Sequence, residues 1–283
     1  MKIILCLNRD IHAALALNLI FPALKNHQVK IILSEAPAKT TNLPDEILQL
    51  KKHEQDAMND LFAKLDGLIQ HKYCLGTLRK LFSRKQYNHN SKFKTFNQIA
   101  HFFNNKITTY HDINASDAVA DIKNFNPDLI ISIRFKQIFH EQIIKIPQRG
   151  IVNLHSGILP KYRGIMPSFW AILRGEKEVG CTLHYIDDSR IDYGRVISFS
   201  RQNVLPERSL IFNVGSLYKE GCKMIVSFLQ QVEKGSDIST LDQAELGKVN
   251  YFSTPQQDSV EKFCEIMPMA TKNDVSEIYQ NWI

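Results

Sequence analysis

Short, near-continuous apolar runs alternate with longer helical patterns along most of the chain. Ile3, Ile4, Leu5 and Leu7 make the segment Met1 to Leu7 read as a strand buried on both faces. Asn8 or Asp10 can cap the helix that follows, Ile11 to Leu24, which is apolar nearly all round and therefore predicted to be buried. Val29 to Leu33 is a second strand, and a strand–helix–strand unit of about 33 residues predicts a parallel pair. Pro44 stands where helices begin; Ile47, Leu50, Met58, Leu61, Phe62 and Leu65 give Asp45 to Gln70 helical spacing. A short helix is expected near Phe96 to Asn104, a strand over Ile107 to Tyr110 and a helix over Ser116 to Asn124. Asp128 to Ile133, Gly150 to Leu154 and Gly180 to Ile186 read as further buried strands. Such alternation predicts the α/β class: a Rossmann-like, doubly wound, mostly parallel sheet. After Pro206 the character changes. Leu210 to Val232 is a long amphipathic helix, Gly235 and Ser236 break it, and the polar remainder, with the cluster Tyr251-Phe252-Ser253-Thr254-Pro255, reads as irregular. The organisation expected is a Rossmann-like domain over 1–205, then a C-terminal helix and small appendage over 206–283.

Composition narrows the class. With 44% of 283 residues hydrophobic and 23% charged, there is enough apolar surface to offset the entropy of ordering, which excludes a disordered chain. Gly 12, Pro 10 and Cys 5 exclude collagen-like and disulfide-scaffold classes. Cys6, Cys74, Cys181, Cys222 and Cys264 lie far apart with no metal spacing, which points to reduced thiols in a cytoplasmic protein and to no bound metal. No uncharged apolar run reaches the roughly 18 residues of a membrane span. The nearest, His12 to Leu24, holds Asn18 and Pro22 and follows Asp10 instead of a basic leader, so neither a span nor a signal peptide is expected. The net charge of +6 is uneven: from His71 to His111 there is no acidic residue, against Lys72, Arg79, Lys80, Arg84, Lys85, Lys92, Lys94 and Lys106. That stretch can serve a phosphate-bearing partner, RNA included; a solvated loop accounts for it with no partner at all.

Ligands of an open parallel sheet bind beyond the carboxyl ends of its strands. Three such ends carry reactive groups: Asn153 and His155, which alternation puts on one face; the segment Asp187 to Gly194 with Asp192; and Ser132 to Phe139. An amide, an imidazole and a carboxylate suit acyl transfer. The amide N–H can hold the oxyanion of a tetrahedral intermediate, the imidazole can move a proton, and the carboxylate can orient the imidazole or relay the proton of an attacking amine. By spacing alone, a strand-end His serves equally as a satisfied structural residue and a loop Asp as a turn former. Other chemistries lack their motifs: there is no GxSxG elbow around Ser156, no GxxxxGK[ST] or GxGxxG after the first strand, and no HExxH.

The run Asn153-Leu154-His155-Ser156-Gly157-Ile158-Leu159-Pro160-Lys161-Tyr162-Arg163-Gly164, with Pro167, Trp170-Ala171-Ile172 and Gly175-Glu176, resembles the signature of the folate-dependent formyltransferases. Gly180-Cys181-Thr182-Leu183-His184 and the following Asp192-Tyr193-Gly194 fit it too. The detailed resemblance covers Pro127 to Ile197. It implies a formyltransferase domain over 1–205 that moves a formyl group from 10-formyltetrahydrofolate to a primary amine, without a metal. It assigns Asn153 to the oxyanion, His155 to proton donation or electrostatic stabilisation, and Asp192 to holding the imidazole and managing the amine's proton. The pterin is expected between the loops Ile133 to Phe139 and Tyr185 to Asp192, with Gln137, Phe139, Ile186, Asp187 and Asp188 as its binding residues. One position departs: the family usually has Ser where Gly157 stands, so a hydrogen bond near the imidazole is either lost or supplied by Ser156.

For the acceptor, the loop Asn8-Arg9-Asp10-Ile11 lacks the glycines with which the purine-pathway members cradle a ribotide phosphate. The residues after Asp192 are few for the linker and β-barrel of the methionyl-tRNA members. The tail Tyr251 to Pro255 resembles that of the sugar N-formyltransferases, which act on nucleotide-linked amino-dideoxy sugars for outer-polysaccharide synthesis and are often homodimers. Arg9, Lys161, Tyr162 and Arg163 are the expected contacts to such a substrate and its pyrophosphate. Alternatives are methionyl-tRNA, an N-hydroxy-amino acid destined for a siderophore, or a non-catalytic folate- or nucleotide-binding protein on the same fold; nucleic-acid and membrane partners are not expected.

Overall fold

Alternation sends Ile3, Leu5 and Leu7 of β1 (Lys2–Leu7) to one face of a sheet and Ile4 and Cys6 to the other, and all five are wholly buried. This is why the run is continuous in sequence: both faces are covered. The computed structural model describes residues 1–34, 43–74, 93–274 and 277, with only the backbone over 66–74. Arg79, Lys80, Arg84, Lys85 and Lys92 of the basic stretch therefore lie outside the described residues, and of Lys72 only the backbone is described.

Six elements form the first half of the sheet: β1, α1 (Ile11–Leu24), β2 (Gln28–Ser34), α2 (Asp45–Cys74), α3 (Phe96–Phe102) and β3 (Thr108–Tyr110). Then come α4 (Ser116–Phe125), β4 (Leu129–Ile133), α5 (Glu141–Ile144) and β5 (Ile151–His155). A short β6 (Arg163–Gly164) and α6 (Pro167–Leu173) lead to β7 (Glu178–Tyr185) and β8 (Val196–Asn203). The strand order is β3-β2-β1-β4-β5-β7-β8. The first five strands pair in parallel, while β7 and β8 are antiparallel additions at one edge. The chain runs outward from β1 to β3 and returns to continue at β4, so the winding reverses between β1 and β4. That is the crevice where doubly wound sheets bind ligands.

Two cores result. α1, α2 and α7 (Leu210–Glu233) cover one face, and α4 and α5 the other. α1 is apolar nearly all round because it lies between the sheet and α7. Of its two candidate caps, Asp10 serves: its Oδ1 accepts the Ala13 N–H at 2.9 Å.

The tail corrects the expectation of irregular structure. β9 (Tyr251–Phe252) pairs in parallel with β6, and α8 (Gln257–Cys264) buries Val260 and Phe263, the latter ring stacked on Phe169 of α6 at 4.4 Å. Two buried residues in eight are too few to reveal a helical period. α6 and β8 lie outside the predicted elements; β8, the edge strand of the sheet, is mostly half-exposed and lacks an apolar face. Among the described residues no helix is long and apolar enough to cross a membrane.

Candidate active site

β5 and β7 run antiparallel with Asn153 opposite His184 and His155 opposite Thr182. Residues facing one another across such a pair touch on one side of the sheet, so this register brings an imidazole to the Asn153 amide. Asn153 Nδ2 lies 3.1 Å from His184 Nε2, and His184 Nδ1 lies 2.8 Å from the Tyr185 carbonyl. A carbonyl only accepts, so Nδ1 carries the hydrogen and Nε2 offers its lone pair to the amide. One Asn153 N–H is thereby tied to His184, leaving the amide with a second N–H in a fixed plane.

His155 Nε2 lies 2.7 Å from the Tyr162 carbonyl and must donate to it, which turns Nδ1 toward Asp192 Oδ2 at 3.4 Å. Asp192 has φ 52°, in the left-handed region, and there reaches both rings: its Oδ1 is 3.5 Å from His184 Nε2. Its Oδ2 also accepts the Gly164 N–H at 2.9 Å. The three residues expected to act together are therefore gathered at the carboxyl end of β5. His184, quoted only as part of a motif, joins them; its opposition to Asn153 needed the strand register, which is absent from the sequence pattern.

Burial pushes the His155 imidazole below its ordinary value; the Asp192 carboxylate and the Tyr162 carbonyl oppose this, and His184 adds to it. Burial alone would raise Asp192. The rings of His155 and His184 and the Gly164 N–H outweigh that term and hold the carboxyl far below the usual carboxylate range. The resting site is thus a neutral imidazole facing an ionised carboxylate, a pair able to accept one proton.

A side chain at Gly157 would not fit. A Cβ there would lie 2.5 Å from Pro167 Cβ and 2.8 Å from both His155 Nε2 and the Tyr162 carbonyl. The imidazole's hydrogen bond comes instead from the main chain at Tyr162. Gly157→Ala is expected to displace that carbonyl and, in the transfer assay described below, to lower turnover more than donor binding; wild-type turnover would show that the carbonyl does not set the ring.

The loop 134–139 after β4 leaves the backbone N–H and C=O groups of 135 to 137 without partners among the described residues, free to pair with the edge of a heterocycle. Gln137 itself is used up: Nε2 donates to the Tyr110 carbonyl at 2.8 Å and Oε1 accepts the Ile113 N–H. Phe139 is buried against Phe135, ring centroids 5.4 Å apart. Both shape the loop. In the second loop the Ile186 N–H bonds the Ile151 carbonyl, Asp187 holds Arg195, and Asp188 holds Arg190. Among the expected acceptor contacts, Lys161 and the Tyr162 hydroxyl share Glu176, and the buried Arg163 is bonded to Gln243. Arg9 is exposed beyond β1, on the far side of β4 from Asn153. Of these four, Tyr162 touches His155, and it does so through its main-chain carbonyl, not its side chain.

At the switch point lies an ion network that sequence reasoning missed. Arg134 donates from Nε to Asp10 at 2.8 Å and from Nη2 to Glu54 of α2 at 2.9 and 3.0 Å. His12 Nδ1 lies 3.1 Å from the same Glu54. Asp10 and Glu54 are buried, and Arg134 stands at φ 57°. Among the described residues no cluster of three His, Cys, Asp or Glu side chains could hold a metal ion.

A doubly wound sheet with an amide, two imidazoles and a carboxylate gathered at its carboxyl edge defines the class as an α/β protein of the open-sheet kind, with a set of groups able to serve acyl transfer. Comparison with known proteins then names the family: residues 47–226 match the family model described as Formyl transferase, and the chain belongs to that family. Among curated relatives, the methionyl-tRNA formyltransferase of Clostridioides difficile (strain 630) is 34% identical over 138 residues, covering 47% of this chain and 43% of that protein. The chain thus spans less than half the length of that relative. Among solved structures, a sugar N-formyltransferase from Shewanella sp FDAARGOS_354 matches with TM-score 0.54 at 14% identity, covering 99% of this chain and 86% of the other. The N-formyltransferase from Helicobacter canadensis, in complex with folinic acid and dTDP-3-aminofucose, matches with TM-score 0.52 at 21% identity over 89% of this chain and 71% of the other. These two likenesses establish the shared fold.

Proposed function

We propose that the protein transfers a formyl group from 10-formyltetrahydrofolate to the primary amine of a nucleotide-linked amino-dideoxy sugar. The observation that carries the transfer is the meeting of Asn153, His155, His184 and Asp192 at the carboxyl end of β5, in a member of the formyl transferase family, with a loop after the neighbouring β4 whose backbone groups at 135 to 137 have no partners among the described residues. The acceptor reading is supported by the resemblance of the tail Tyr251 to Pro255 to that of the sugar N-formyltransferases; its β9 pairs with Arg163–Gly164, beside the candidate site. It is supported also by the Helicobacter neighbour, solved with folinic acid and an amino-sugar nucleotide.

The chemistry follows from the residues' states. The acceptor's uncharged amine attacks the formyl carbon, and the carbonyl oxygen becomes anionic. The free N–H of Asn153, its plane set by His184, is the donor positioned for that oxygen. The amine nitrogen now carries a surplus proton. His155, held neutral by burial, takes it at Nδ1, and the ionised Asp192 beside that atom stabilises the resulting imidazolium. The same proton passes to the donor's nitrogen as the bond from carbon to that nitrogen breaks. The products are a formamide and tetrahydrofolate, with no net proton change.

The test is to incubate the protein with 10-formyltetrahydrofolate and, in separate arms, dTDP-, UDP- and GDP-linked amino sugars, charged initiator tRNA, and N-hydroxy-amino acids, following tetrahydrofolate release. Turnover with an amino-sugar nucleotide is expected. Turnover only with tRNA or a hydroxylamine would overturn the acceptor, and tight folate binding without turnover on any amine would leave a binding protein.

A further inference from the structure

Gln243 lies in the C-terminal segment, in a single 3-10 turn (Gln243–Glu245), yet it is 2% exposed and every polar atom of its side chain is engaged. Nε2 donates to the Asp192 carbonyl at 3.0 Å and to the Gly194 carbonyl at 2.7 Å. Oε1 accepts two hydrogens from Arg163, from Nε at 3.0 Å and Nη2 at 2.7 Å. One buried amide therefore joins the segment that bears Asp192 to the strand end that bears Gly164, whose N–H grips the same carboxylate. The Arg163 guanidinium lies 4.3 Å from the centre of the Tyr193 ring and that of Arg190 lies 3.5 Å from it, so the residue after Asp192 is held by cations as well. Leu241 is bonded to Val196 in both directions, and β9 runs beside Arg163. These contacts anchor the segment on either side of Gln243.

We infer that Gln243 is a positioning residue for the reaction: it holds Asp192 in its left-handed conformation, and so sets the carboxylate against His155 and His184. The physical reason is specific. Non-glycine residues at positive φ persist only where their surroundings over-determine them, and a buried carbonyl left without a donor is costly. Gln243 satisfies the carbonyl of Asp192 itself and that of Gly194, the two main-chain acceptors that fix the turn. The appendage thereby completes the site from a distant part of the chain. The charged or titratable groups facing Asp192 are His155, His184 and Arg163; the two rings are fixed by the Tyr162 and Tyr185 carbonyls and Arg163 by Gln243 itself, so it is the carboxylate that the turn sets against them.

The test uses Gln243→Met, which fills the space without hydrogen bonds, and Gln243→Glu, which still accepts from Arg163 but presents a carboxylate to two carbonyls. The primary readout is the titration of the His155 imidazole followed by NMR in the resting full chain. It needs no substrate and stands even if the acceptor or the transfer reading fails. With Asp192 displaced, His155 loses the anion that favours its charged form, and its midpoint is expected to move to lower pH in both variants. The second readout is steady-state kinetics. Turnover is expected to fall roughly ten- to a hundredfold with the donor's KM little changed. A His155 midpoint that stays at its wild-type pH in Gln243→Met would overturn the inference, whatever happens to thermal stability. If Gln243→Glu does not fold, Gln243→Met, with no buried charge, decides alone. Turnover lost in the wild type itself would count against the transfer reading and leave the titration result intact.

Discussion

Asp192→Asn and His155→Ala are each expected to lower the turnover of formyl transfer by about 10²- to 10⁴-fold, with binding of the folate donor largely retained. The loss is expected to be large because, in the proposed mechanism, the two side chains handle one proton between them. The Nδ1 atom that receives it lies 3.4 Å from the carboxylate that stabilises it. Neither group works without the other, so the double variant is expected to cost little more than the worse single one. Losses that multiply in the double variant would show that they act independently. The pH profile supplies a sign. In the proposed mechanism neutral His155 is the competent form, and burial pushes its midpoint below the ordinary histidine value. In the wild type, kcat/KM should therefore rise with pH through a limb lying below about 6.5. Asn at position 192 removes the charge that favours imidazolium, so the residual activity of Asp192→Asn should show that limb at still lower pH. A shift to higher pH would exclude His155 as the group reporting it. Stopped-flow or steady-state release of tetrahydrofolate across pH 4 to 9 measures both effects.

Most of the fold was legible because parallel strands buried on both faces leave continuous apolar runs, and the helices between them carry a single period. Asn153 and His155 were legible as a pair because two-residue spacing in a strand fixes a common face without knowledge of the partner. Asp192 was legible only through its distance from a recognisable motif; nothing in its local sequence announces a left-handed turn. His184 needed the antiparallel register of β7 on β5. Gln243 and Arg134 were illegible for a common reason. Their partners lie far along the chain, 80 and 51 positions from Gln243 and 124 and 80 from Arg134, and a lone polar residue carries no period. The expected substrate contacts are a different case. Lys161, Tyr162 and Arg163 are polar groups beside the motif, and polar groups near a site are as often consumed by the scaffold, here by Glu176 and Gln243.

Arg134→Met is expected to destabilise the protein by about 3–5 kcal/mol, because it strips the counter-charge from two buried carboxylates. At roughly 2–4 °C per kcal/mol for a chain of this class, the melting temperature should fall by about 10 °C. Arg134→Lys should fall between, keeping charge while losing the planar fork that spans Asp10 and Glu54. The pH dependence separates this from ordinary loss of packing. In the wild type Asp10 is lowered to about 2 and Glu54 is also lowered: burial opposes both shifts, and Arg134 is the strongest of the charges overcoming it. Depressed folded values mean stability that is complete above the unfolded values, near 3.9 and 4.3, and is lost as pH falls through them toward 2. Without Arg134 the burial term is opposed only by weaker partners such as His12, and both carboxyls rise. Their protonation then relieves the variant on mild acidification, so its deficit against wild type should shrink between pH 7 and pH 4. A deficit constant over that range would place the effect in packing. The network sits where the sheet's winding reverses and holds Arg134, at positive φ, at the head of the loop whose backbone groups at 135 to 137 have no partners among the described residues. A variant that recovers stability in acid should therefore still bind the folate donor weakly there.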